Sequence, residues 1–206
     1  MAAISFGHVS MCWNADNVQP FAFDNTMLVK KDHPLDHLMA WTAMVARGAP
    51  GGRLKALVIN CHGYYSDDST GTMDSAGGIP KTSGGFGLDI GSGGGLDNWD
   101  RTGTLDSAGG IPTKSGPKIA TGINWKNANL FRALNRLINE IYVYACGAAN
   151  TPIYEYVNTN MCQIIADSSN AIVIASQSLQ PDVIGPGLNR APEMVGKVIR
   201  FIPRYK

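Results

Sequence analysis

Three short runs of nearly unbroken apolar character stand out along the chain: ALVINCHG at residues 56 to 63, IYVYACG at 141 to 147 and AIVIAS at 171 to 176. Each is strand-sized, and two end in a glycine turn signal, the pattern of strands buried on both faces of a parallel sheet. VIRFIP, at 198 to 203, alternates instead and predicts an edge strand closed by Pro203. Elsewhere apolar positions recur at helical spacing. Leu130, Phe131, Leu134, Leu137 and Ile138 predict a helix from about Asn127 to Asn139. A second helix is expected from Pro34, a good first-turn residue after Asp32, to Arg47 before Gly48. A third covers Thr159 to Asp167, with Met161, Ile164 and Ile165 facing inward. Strand and helix alternate, so the expected class is α/β: a mostly parallel sheet flanked by helices on both faces.

One segment breaks this order. Fifteen of the 24 glycines fall between Gly71 and Gly122, where no apolar period is sustained, so residues 66–122 are expected to be a loop insertion within a single domain spanning 1–206. The insertion carries an internal repeat. GTMDSAGGIPKTSG (71–84) and GTLDSAGGIPTKSG (103–116) differ at three of fourteen positions. Two copies are too few to stack as a solenoid, which leaves a duplicated loop element. GSGGG within it lacks both the GxxxxGK[ST] pattern and a strand directly before it, so a phosphate-binding loop is not expected.

Composition narrows the function classes. Hydrophobic residues make up 44% of the 206, enough for one packed core, while charged residues are only 16%. The net charge is +1 and neither sign is concentrated, which argues against a nucleic-acid partner. No apolar stretch is long enough to span a bilayer, and the first residues lack the basic-then-apolar layout of a signal peptide, so no membrane partner is expected and the chain is expected to be cytoplasmic. Cys12, Cys61, Cys146 and Cys162 are scattered with no CxxC pair, and free thiols are expected. His33 and His37 lie four apart at a helix start but have no third ligand nearby, so a solvated helix face is preferred over a metal site. No cofactor and no metal is expected.

Two reactive side chains fall where α/β sheets collect ligands, at the carboxyl ends of strands. His62 ends the first apolar run and is followed by Gly63; Cys146 ends the second and is followed by Gly147. A crossover helix between the runs would make them parallel neighbours, opening imidazole and thiol into one crevice. The thiolate would attack a carbonyl carbon, the imidazole would protonate the leaving amine, and the Gly63 N–H would help hold the oxyanion. Cys61, one residue before His62, is expected to point to the opposite face as a core thiol, and Cys12 and Cys162 to serve packing.

LVINCHG and IYVYACGAA, with Ala145 and Cys146 as the Ala-Cys pair, resemble the two strand-terminal motifs of the caspase-like cysteine peptidases. GFGLDIGSG (85 to 93), NANLFRAL and MCQIIADSSNAIVIASQ are similar to the bacterial branch, which holds toxin self-processing and CHAT-type domains. The likeness covers roughly residues 54 to 180, though the repeat makes the spacer between His62 and Cys146 longer than the family pattern suggests. It implies a caspase-like fold and a thiol endopeptidase acting on a peptide or protein, with Cys146 as nucleophile and His62 as general acid/base. Self-processing near Asp74 or Asp106 in the repeats is a further expectation. The family also holds inactive members, and the rival reading is a silent module for binding or assembly, for which a homo-oligomer is one option.

Overall fold

The computed structural model describes residues 2–16, 18–30, 33, 35–66, 83–87, 122–123, 128–150, 160–178, 180–181 and 183–204. Along the chain run strands Ala3–Ser5 (β1), Ser10–Ala15 (β2) and Asn25–Val29 (β3), then helix Leu35–Gly48 (α1) and strand Leu54–Asn60 (β4). His62–Ser66 (β5), Ser83–Gly87 (β6) and Gly122–Ile123 (β7) follow. After a 3₁₀ helix at Ala128–Leu134 come Ile138–Tyr144 (β8), helix Met161–Ser169 (α2), Ile172–Ser176 (β9), Arg190–Pro192 (β10) and Val198–Phe201 (β11).

Six strands form the main sheet in the order β11-β9-β8-β4-β2-β3. All neighbours are parallel except β11, which runs antiparallel to β9; it lies at the edge of the sheet, the position its alternating sequence suggested. The α/β class is therefore observed, with a mostly parallel mixed sheet.

Helices on both faces are not observed among the described residues. Leu38 and Met39 of α1, Phe131 of the 3₁₀ helix and Ile165 of α2 all join one core cluster with Trp13, Leu57, Ile141 and Val173 of the sheet. The reason is the direction of travel. From β3 to β4, β4 to β8 and β8 to β9 the chain always moves the same way across the sheet, and right-handed crossovers then fall on one face. Only β2 to β3 moves the other way, and its connection sends Phe21 and Phe23 to the opposite face. There they pack with Phe6, Val58, Tyr144 and Ala191. The small antiparallel pair of β1 with β10 completes that layer.

Several boundaries differ from expectation. The helix expected over 127–139 is a 3₁₀ turn ending at Leu134; Arg136, at φ 62°, reverses the chain, and Ile138 already belongs to β8. The apolar recurrence there came from two elements laid end to end. β8 stops at Tyr144 and β4 at Asn60, so neither His62 nor Cys146 closes its core strand. β2 and β3 were not anticipated. Within 66–122, an expected loop, Ser83–Gly87 and Gly122 pair with β5 and each other as a second, three-stranded sheet. Pro34, Asp74 and Asp106 lie outside the described residues. The expected α2 is shifted by two residues. Asn160 caps it by accepting the Cys162 N–H at 2.8 Å, and Asn170 ends it in the left-handed conformation, φ 54°.

Candidate active site

β2 is the strand from which the connections diverge to opposite faces, and such a switch point leaves a crevice at the carboxyl ends of the strands. A small cleft open to solvent lies there. The end of β4 supplies Asn60, Cys61 and His62; the end of β8 supplies Tyr144 and Cys146. Val18 and Phe21 enter from the β2–β3 connection, and Gln180, Pro181 and Val183 from the segment after β9. The two side chains singled out as a candidate dyad therefore line one cleft.

Strand register brings them together. β4 and β8 are parallel neighbours with Asn60 opposite Tyr144, so His62 and Cys146 stand two residues beyond the last paired positions of each. Side chains alternate, which gives Asn60 and His62 one facing and Cys61 the other. Cys61 is buried with the helix-side core, although it also borders the cleft. His62 is half-buried and begins β5, where it stands opposite Gly87 of β6. Gly63 follows opposite Phe86, so the backbone expected to hold an oxyanion lies at the root of the second sheet.

Cys146 sits in the turn after β8, made possible by Gly147 at φ 62°. Its sulfur accepts the Gln180 N–H at 3.2 Å, and its S–H is 3.6 Å from the Gln180 carbonyl. The Gly147 N–H donates to the Ser178 carbonyl at 3.1 Å, tying the same two segments again. The Gln180 side chain accepts the Val195 N–H at 3.0 Å and donates to the Val195 carbonyl at 3.0 Å. Ser176 also donates to that carbonyl, at 2.6 Å. The tie is close-packed: a Cβ at Gly196 would meet the Ser178 hydroxyl. The segment following β9 is thus fastened on one side to β11's approach and on the other to the Cys146 sulfur.

Of the four free thiols, Cys146 alone is partly exposed. Burial pushes the Cys162 thiol up to about 12 and holds those of Cys12 and Cys61 well above the usual thiol range, Cys61 further through neighbouring Cys146 and Cys12. These three are kept as neutral core groups, in line with their expected packing role.

Comparison with known proteins gave no match. No family model, no curated protein and no solved structure aligns with the chain.

The floor of the cleft rests on residues that sequence reasoning did not single out. Asn14, the last residue but one of β2, is fully buried, with its amide donating to the Phe21 carbonyl at 3.0 Å and accepting the Phe21 N–H at 2.9 Å. Asn60, its register partner on β4, donates to Asn14 Oδ1 at 2.8 Å and to the Gln19 carbonyl at 2.9 Å. A buried amide pair thus fixes the connection that carries Phe21 over Tyr144, ring centroids 5.2 Å apart. The Tyr144 hydroxyl donates to the Pro192 carbonyl at 2.8 Å, and burial raises its pKa strongly. An asparagine at the end of an apolar run was the available signal, present in both MCWN and LVIN.

No group of three or more metal-ligating side chains occurs among the described residues, His33 and His37 included. Among the same residues no helix is long and apolar enough to cross a membrane.

Proposed function

We propose that the chain is a cysteine endopeptidase of caspase-like type. The observation that carries the reading is that His62 and Cys146, from the ends of adjacent parallel strands, line one cleft. A peptide laid across it brings its carbonyl carbon to the Cys146 sulfur. The S–C bond forms as the carbonyl π electrons move to oxygen, for which the Gly63 N–H, next in sequence to His62, is the proposed donor. The C–N bond then breaks, and His62 delivers to the amine the proton taken from the thiol. Water, deprotonated by His62, hydrolyses the thioester and restores the thiol. The apolar lining from Val18, Phe21 and Val183 suits a peptide side chain, and the reaction needs no cofactor or metal.

One observation favours the rival reading, a silent module for binding or assembly. Both backbone polar groups of Gln180 engage the Cys146 sulfur, so the thiol has a structural partner and acts as a latch.

Site-resolved alkylation separates the two. Wild type, Cys146→Ala and His62→Ala are treated with iodoacetamide and read by peptide mass spectrometry. The peptidase requires Cys146 to label at least about tenfold faster than the other thiols, with that lead lost in His62→Ala. Slow labelling of Cys146, indifferent to His62, gives the site to the latch.

A further inference from the structure

The main sheet ends in β3 on one side and β11 on the other, and the two edges differ in what they present. β11 has Arg200 within it, Lys197 just before it and Pro203 just after it. Such charges and prolines keep an edge from pairing with another chain. β3 reads Asn25, Thr26, Met27, Leu28, Val29, with neither charge nor proline. Among the described residues only β2 pairs with it, and Leu28 is 44% exposed. Its outer row of N–H and C=O groups is a template for one more strand.

The flanking charges select that strand. Asp24 directly precedes β3 and Lys30 directly follows it. When a second β3 lies antiparallel about a two-fold axis at Met27, Lys30 of each copy stands opposite Asp24 of the other, and Leu28 opposite Thr26. A parallel arrangement in register would oppose lysine to lysine and aspartate to aspartate, which is unfavourable. Asp24 is available for this. Its hydrogen bonds to His8 and Asn189 both use Oδ2, and its side chain is 37% exposed.

We propose that a second copy of this chain docks on β3, continuing the sheet through an isologous antiparallel pair. The inference is independent of the chemistry in the cleft. Five residues a side bury less than the roughly 1,000 Å² of a firm interface, so association is weak and rises with concentration.

Sedimentation velocity of the full chain from about 10 μM to about 1 mM tests it. The weight-average mass should climb from the monomer value towards twice that value. Leu28→Lys, at an exposed position, and Lys30→Glu, which sets like charges face to face, should each weaken association at least about tenfold. Val198→Lys on the other edge should leave it unchanged. Thr26→Cys combined with Leu28→Cys should give an intermolecular disulfide between those two positions under mild oxidation. A wild type that stays monomeric throughout overturns the proposal. So does an association that survives Leu28→Lys and Lys30→Glu, or one that Val198→Lys abolishes.

Discussion

Cys61 donates its backbone N–H to the carbonyl of Tyr144 at 3.1 Å, one step past the paired ends of β4 and β8. That bond sets the phase of everything beyond it. With the ladder held to this point, alternation gives Cys61 to the core and sends His62 towards the cleft, while Tyr144 and Cys146 line the same cleft from β8. A slip of one residue in β4 would exchange the facings of Cys61 and His62, and a slip in β8 would turn Cys146 to the other face.

The thiols should divide one against three. Cys12, Cys61 and Cys162 are buried and held neutral, whereas Cys146 opens to the cleft. Titration of the native chain with Ellman's reagent should give one fast equivalent, and full denaturant should release all four. Two or more fast equivalents in native buffer would contradict the burial described above.

Asn14→Ala should destabilise the fold by about 3 kcal/mol, because it strands the Phe21 N–H and carbonyl in a buried place. Urea denaturation measures this. The β2–β3 connection would also loosen, so the rate of alkylation at Cys146 should become less dependent on His62.

Gln180→Ala removes the side-chain bonds to Val195 and frees the segment that clasps the Cys146 sulfur. Alkylation of Cys146 should accelerate by roughly three- to tenfold, at a stability cost of about 1 kcal/mol. An unchanged rate would mean that the clasp does not limit access to the thiol.

Acid should release the carboxyl-terminal segment first. Partial burial pushes the Asp167 carboxyl up, but hydrogen bonds from the Arg204 side chain and backbone and from Gln163 outweigh it and leave the group below its ordinary value. A depressed carboxylate stabilises the fold above its unfolded pKa, and that contribution is lost as pH falls through the folded value. With Arg204 half-exposed, about 1 kcal/mol is at stake after screening. The melting-temperature gap between wild type and Asp167→Asn should be open at pH 6 and close towards about pH 3.

The strands that flank the cleft were readable because both are buried on two faces, which leaves continuous apolar runs such as LVI and IYV. Their parallel adjacency also followed from the crossover between them. What local pattern hid was where those runs end. Nothing in ALVINCHG marks the step at Cys61 from one sheet to another, since that step is fixed by pairing with Ser83–Gly87 far along the chain. β2 escaped notice for a related reason. MCWN mixes small, polar and aromatic residues, yet every position of Ser10–Ala15 is buried, because Trp13 satisfies its indole N–H on Thr42 and Asn14 its amide on Phe21. Partners in space, not neighbours in sequence, made those residues fit an interior.

The three-stranded sheet that starts at His62 has a consequence for how the chain can change over time. It pairs His62–Ser66 with Ser83–Gly87 and the latter with Gly122–Ile123, so the chain departs and returns twice at the same short ribbon. The first fourteen-residue copy, 71–84, falls almost wholly in the first excursion, and the second, 103–116, wholly in the second. The second copy contains none of the paired residues, whereas the first supplies Ser83 and Gly84, which stand opposite Ser66 and Tyr65; of the two repeats, only the second can be gained or lost without taking residues from the ribbon that begins at His62.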